Sequence, residues 1–208
     1  MDNEKKYELV NDDFVYFKNK KLYRIKALIS FNDVNAGDIG GFVESEYNLS
    51  HSGNCWIYDM GTVSDNAKVI GAARVCENAK VCDDAIIGCY AEVHDNAMVG
   101  GCTHICDNAL VYGDTVICPS FAVIGYGANI QTDDDYLTVK GLGAYNHNIT
   151  FFRTHLAGRM GINVYWRGFS YALDQFAKEI KKRFGDSKYT KEYQAMIEVA
   201  KIHFGIGD

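Results

Sequence analysis

An imidazole oriented by a carboxylate can act as a general base, and His94 follows Glu92 at next-but-one spacing, the separation that puts two side chains on one face of a strand. His104 lies ten residues further on. Either imidazole would suit proton abstraction from a hydroxyl or amine acceptor. The seven cysteines include no CxxC pair, so they read as free thiols in a reducing compartment. Cys76 and His94 stand eighteen residues apart, which offers two ligands where a structural zinc site needs four. No metal site and no cofactor is expected. Asp59, Glu77 and Asp95 recur at the same eighteen-residue interval. Such a column either attracts a cation or basic partner, or is the turn chemistry of a repeated corner.

What positions these groups is a period of six. From Ile57 to Val123 every sixth residue is Ile or Val, twelve in succession, and a small residue stands four places after most of them, as in Ala67, Ala73, Ala79, Ala85, Ala91 and Ala97. Ala-x-Val alternation, as in Ala79-Lys80-Val81, is the period-two signature of a short strand with one buried face. Pairs such as Asp65-Asn66, Asp83-Asp84 and Asp95-Asn96 tolerate positive φ and bond their own backbone, which makes them corners. A six-residue unit with one branched and one small apolar residue must stack on copies of itself. Three sides close a coil of eighteen residues, a triangular parallel β-helix of four to five coils.

This pattern resembles the hexapeptide repeat of left-handed β-helix proteins over about residues 53 to 130. The left-handedness is what the resemblance implies. Among its relatives are acyltransferases, carbonic-anhydrase-like proteins and proteins with no known chemistry.

The expected organisation is an N-terminal hairpin and cap over 1–52, the β-helix over 53–131, and β-strands plus two helices over 132–208. The hairpin is placed around Asn19-Lys20. After Ile130 the phase slips, and three strand-like runs follow at Tyr136 to Val139, Asn148 to Arg153 and Ile162 to Trp166. Two helical faces come next, Leu173 to Phe184 with Ser170 as N-cap and Gly185 as stop, then Tyr189 to Phe204 after Ser187. A net charge of −6 and the lack of any apolar run long enough to span a bilayer point away from nucleic acid and membrane, toward a cytoplasmic chain.

The segments Lys21-Leu-Tyr-Arg-Ile-Lys-Ala-Leu28, Ala36-Gly-Asp-Ile-Gly-Gly-Phe-Val-Glu-Ser-Glu-Tyr-Asn-Leu49, Gly53-Asn-Cys-Trp-Ile-Tyr-Asp59 and Gly185-Asp-Ser-Lys-Tyr-Thr-Lys-Glu-Tyr193 are similar to a group of hexapeptide-repeat proteins of phages, prophages and gut bacteria labelled hypothetical or polymer-forming-like. That resemblance implies a mobile-element context and a role against host defence.

With the inward residues fixed, one outer face carries Trp56, Tyr58, Arg74, Glu92, His94 and Tyr112, a composition suited to a protein-binding hot spot. Two others are apolar, with Ile70, Ile86, Met98, Val116 and Ile124 as candidates for an oligomer or packing face, in a dimer or trimer. The principal expectation is a non-enzymatic module that docks on a host or self protein, of the anti-CRISPR type. One alternative is a hexapeptide acyltransferase that uses acyl-CoA with His94 or His104 at a subunit interface. The other is a structural or self-assembling protein.

Overall fold

The structure is a computed structural model and describes residues 5–156 and 158–206. It begins with a hairpin, β1 (Tyr7–Phe17) and β2 (Lys20–Ala27), followed by β3 (Ile39–Val43). Thirteen short strands form the rungs: β4 to β16 are Trp56–Ile57, Thr62–Val63, Lys68–Val69, Arg74–Val75, Lys80–Val81, Ile86–Ile87, Glu92–Val93, Met98–Val99, Thr103–Ile105, Leu110–Val111, Val116–Ile117, Ala122–Ile124 and Asn129–Ile130. Every third strand shares a sheet. β4, β7, β10, β13 and β16 make one side of the triangle, β3, β5, β8, β11 and β14 the second, and β6, β9, β12 and β15 the third, all in parallel register. The solenoid therefore has about five rungs on its longest side.

Its core is a set of stacked columns. Ile57, Val75, Val93, Val111 and Ile130 form one, and Ala73, Ala91, Ala109 and Ala128 run beside it, all buried. The small column exists because the interior narrows where the chain turns a corner, and a larger side chain there would meet the opposite wall. At the corners Asp59, Asp65, Glu77, Asp83, Asp95 and Asp107 all have φ between 51° and 59°. Several corner carboxylates also accept a backbone N–H from the next rung: Asp83 N donates to Asp65 at 3.2 Å, Gly101 N to Asp83 at 2.8 Å, and Gly113 N to Asp95 at 2.9 Å. At Asp65, Asp83 and Asp95 the stacked acids are tolerated because each satisfies a turn amide.

The period breaks earlier than the spacing predicts. Ile105 pairs with Ile124, nineteen residues on, because Pro119-Ser120-Phe121 holds one extra residue. Val123 therefore stands beside His104 in the outward register, and Ile124 points inward, fully buried. Cys106 accordingly lies next to Gly125 rather than Ile124. Ile124 thus belongs to the core and leaves the expected packing face.

Both ends are covered. The hairpin turn is Lys18-Asn19, both at positive φ, one residue ahead of the predicted pair. β2 runs antiparallel to β3, which pairs in parallel with β5 and so converts the hairpin into the solenoid's first rung. Gly40 and Gly41 permit this docking, since a Cβ on Gly41 would collide with the Gly61 carbonyl oxygen. At the other end β17 (Tyr136–Val139), β18 (Ile149–Leu156), β19 (Arg159–Trp166) and β20 (Phe169–Ala172) form an antiparallel sheet of four strands, one more than the spacing predicts. Ser170 falls within β20, so the N-cap of α1 (Leu173–Phe184) is Ala172; Ser187 caps α2 (Lys188–Phe204). Phe152 of β18 joins the solenoid core, while its neighbour Phe151 packs with Phe176, Tyr193 and Trp166 beneath the helices. Among the described residues no helix is long and apolar enough to cross a membrane.

Ala91→Leu tests the narrow column. It is expected to cost about 1–3 kcal/mol by overpacking and to lower the urea midpoint, whereas unchanged stability would contradict so tight an interior.

Candidate functional site

The side of the solenoid built from β4, β7, β10, β13 and β16 carries most of the polar chemistry. At its N-terminal end the cap takes up the expected hot spot. Trp56 is 1% exposed, packed edge-on against Tyr7 and Phe31 with ring centroids 6.2 and 5.5 Å away, so it is a core residue and not a docking one. Its position in the repeat is outward, but the loop after β2 folds over it. Tyr58 donates to Asp33 at 2.9 Å, and Arg74 donates to both Tyr58 and Asp33. Burial, with Asp33 adding to it, pushes the Tyr58 hydroxyl up to about 12. These two residues fasten the cap.

The middle of the face is free of both caps. Glu92 does not orient His94. Its carboxylate lies 3.9 Å from the Cys76 thiol, and burial together with that charge pushes the thiol up to about 12, which keeps it protonated and unreactive at neutral pH. His94 instead turns to the corner, with Nδ1 3.2 Å from Asp95 Oδ1, and its ring stacks on Tyr112 at 5.3 Å and 9°. The Gly113 amide, then His94, hold the Asp95 carboxyl below its ordinary range. A carboxylate acceptor at Nδ1 sets the tautomer that leaves Nε2 as the basic atom. Glu77 completes this group, since one ligand atom of each of Glu77, His94 and Asp95 falls within 4.8 Å of the others.

Beyond Tyr112 the face opens into a cleft of about 90 Å³ lined by Asn129, Gln131, Asp135, Arg153, Thr154, His155 and Met160. Arg153 is bound to Asp135 at 2.8 Å. Asn129 lines this cleft, and its Oδ1 is buried with no partner, an acceptor left unsatisfied. Spacing marks Asp95 as a member of the Asp59, Glu77, Asp95 column but not as the partner of His94. The cleft residues do not emerge from spacing, since Arg153 and Asp135 arrive from the C-terminal cap.

The other predicted residues do not gather here. His104 lies on the third side, beside Phe121 at 6.4 Å, and does not meet His94. Ile70, 40% exposed, and half-buried Ile86 share His104's side, whereas half-buried Met98 and Val116, 45% exposed, stand on the second. A larger groove of about 520 Å³ between β19, α1 and α2 is lined by Ile162, Leu173, Ala177 and Ile197, with Asn163 and Lys201 among its few polar groups.

No protein-family model matches the chain. Over 53 residues it is 45% identical to a protein of Escherichia coli (strain K12) described as the uncharacterized acetyltransferase YdcK; the match covers 26% of this chain and 16% of that protein. This partial similarity and the solenoid are compatible with the hexapeptide-repeat β-helix proteins.

Two outcomes follow from the geometry. Trp56→Ala is expected to cost about 3–5 kcal/mol as a buried aromatic truncation, measured by denaturant unfolding; a change below about 1 kcal/mol would return Trp56 to the surface. Asp95 titrates in the fold below its unfolded-state value of about 3.9, so its contribution to stability is full above that value and is lost as pH falls through the depressed folded value. Asp95→Asn should therefore flatten the acid limb of a stability-versus-pH curve, and an unaltered slope would contradict the pairing.

Proposed function

We propose that the chain is an acyltransferase of the hexapeptide-repeat type, in which His94 is the general base and Asp95 its orienting acid. The observation that carries this reading is the 3.2 Å approach of His94 Nδ1 to Asp95, which leaves Nε2 available on a half-buried face clear of both caps. In the step envisaged, Nε2 takes the proton of an acceptor hydroxyl or amine as that atom attacks the thioester carbonyl of acyl-CoA. The tetrahedral intermediate then collapses, the C–S bond breaks, and the imidazolium returns the proton to the departing CoA thiolate. Asn129, with its unpartnered acceptor, is suited to hold the second donor hydrogen of an amine or a neighbouring hydroxyl. The partial similarity to a protein described as an acetyltransferase supports an acetyl donor, and a CoA donor fits a cytoplasmic setting.

A second reading is a non-enzymatic module of mobile-element type that docks on a host or self protein. It is favoured by one feature, the coils from Ile57 to Ile117, which carry no inserted loop to shape an acceptor pocket. Exposed Ile70 and Val116 would then be its apolar contacts, or those of a dimer or trimer.

The test is release of free CoA from acetyl-CoA by the purified chain, with a panel of amine and hydroxyl acceptors, and with its mass followed by light scattering. Saturable release that falls about 10²- to 10⁴-fold in His94→Ala, with unchanged melting temperature, is the expected result. Release unaffected by that substitution, or no binding of acetyl-CoA, would overturn the transfer reading. In the latter case a complex lost on Ile70→Asp or Val116→Asp would support docking.

A further inference from the structure

Away from the His94 face, the corner that follows the second side brings together two thiols and two carboxylates. Ligand atoms of Asp65, Cys82 and Asp83 lie within 4.8 Å of one another. Cys118, two rungs from Cys82 in the same column, places Sγ 3.6 Å from Asp83 Oδ2. Between the two cysteines stands Gly100, which has no side chain to separate them. A Cβ there would lie 3.2 Å from each sulfur and 2.7 Å from Asp83 Oδ2. The gap left by that glycine is thus walled by two sulfurs and a carboxylate.

A cation already sits in the cluster. The hairpin turn delivers Lys18, whose ammonium is 3.3 Å from Cys82 Sγ and 3.6 Å from Asp83 Oδ1. Lys20 binds Asp65 at 2.7 Å and Glu44 at 2.9 Å. The Lys18 side chain is about half exposed, so it can leave toward solvent without disturbing the hairpin.

We propose that Cys82, Asp83 and Cys118, with Asp65 beside them, form a binding site for a borderline-soft divalent cation of the zinc type. The donor set supports this. Thiolate sulfur and carboxylate oxygen are both ligands of Zn²⁺, in tetrahedral geometry with metal–sulfur bonds of about 2.3 Å. A disulfide is excluded by distance: two rungs separate the Cα atoms by roughly 9.6 Å at about 4.8 Å per rung, beyond the ~6.8 Å that a disulfide spans. A metal bridging the sulfurs reaches further. Binding displaces the Lys18 ammonium and releases the two thiol protons, so the metal takes over the charge that the lysine neutralises.

The experiment is titration of the reduced, full-length chain with Co²⁺, read by the thiolate-to-cobalt charge-transfer absorption, followed by displacement with Zn²⁺. One equivalent should saturate the band. Cys118→Ser, at an exposed position, should weaken binding by about tenfold or more, and Gly100→Ala, which fills the gap, should do the same. Cys102→Ser is the control, because Cys102 has a carboxylate neighbour in Asp84 but no such paired thiol, and its band should be unchanged. Lys18→Met removes the competing cation and should bind at least as tightly. The proposal is overturned if no charge-transfer band forms, if the band survives intact in Cys118→Ser, or if Lys18→Met abolishes it.

Discussion

Everything in this protein depends on the closure of an eighteen-residue coil around a core only two side chains wide. Each side contributes one branched residue and one small residue, and the next coil must place identical types directly above them. The stacking buries Val and Ile side chains at about 1.5–3 kcal/mol each, and the alanine columns set how tightly the corners turn. Corner backbone at positive φ would cost a β-branched residue heavily, so the corners are mostly Asp and Gly, with Glu77 and Cys89 among them. Asp65, Asp83, Asp95 and Asp107 then accept backbone N–H bonds from the rung above. Apolar packing inside and carboxylate-to-amide bonding outside are two views of one repeat.

That constraint also decides where chemistry can lie. Inward positions are committed to the core, and both ends of the stack must be covered, because a bare rung presents unpaired backbone groups. The N-terminal cap takes Trp56, Tyr58 and Arg74, and the hairpin tip sends Lys18 and Lys20 onto the acidic corner of the second side. The C-terminal sheet inserts Phe152 over the last coil. On the first side, what is left outward and unengaged by either cap is its middle, where His94 meets Asp95. There the corner acid serves two purposes: Asp95 holds the Gly113 amide of the next rung and orients the imidazole of its own.

The repeat and its corners are legible in the sequence because they rest on short-range rules that recur at every copy. Column neighbours follow directly from the period, including the Cys82, Gly100, Cys118 series. Hidden from it is anything that requires knowing how a flank folds back. Trp56 occupies an outward position, yet Phe31 and Tyr7 cover it. Ile124 falls at an outward position in the strict period, and the single extra residue at Pro119-Ser120-Phe121 turns it inward; a valine at the sixth position masks the slip. Ser170 resembles an N-cap, but pairing of Tyr165 with Ser170 extends a strand through it. Strand alternation favours Glu92 as the partner of His94, whereas the corner's positive φ swings Asp95 nearer.

The central claim is that the middle of the first side is the working surface. It is tested most directly by titrating the isotopically labelled chain with acetyl-CoA and following every backbone amide by two-dimensional NMR. Saturable shifts along Cys76, His94, Tyr112 and Gln131 and the adjoining corner at Asp95 are the predicted result. Saturable shifts confined to α1, α2 and the groove between them, or to the side that carries Ile70 and His104, would contradict it.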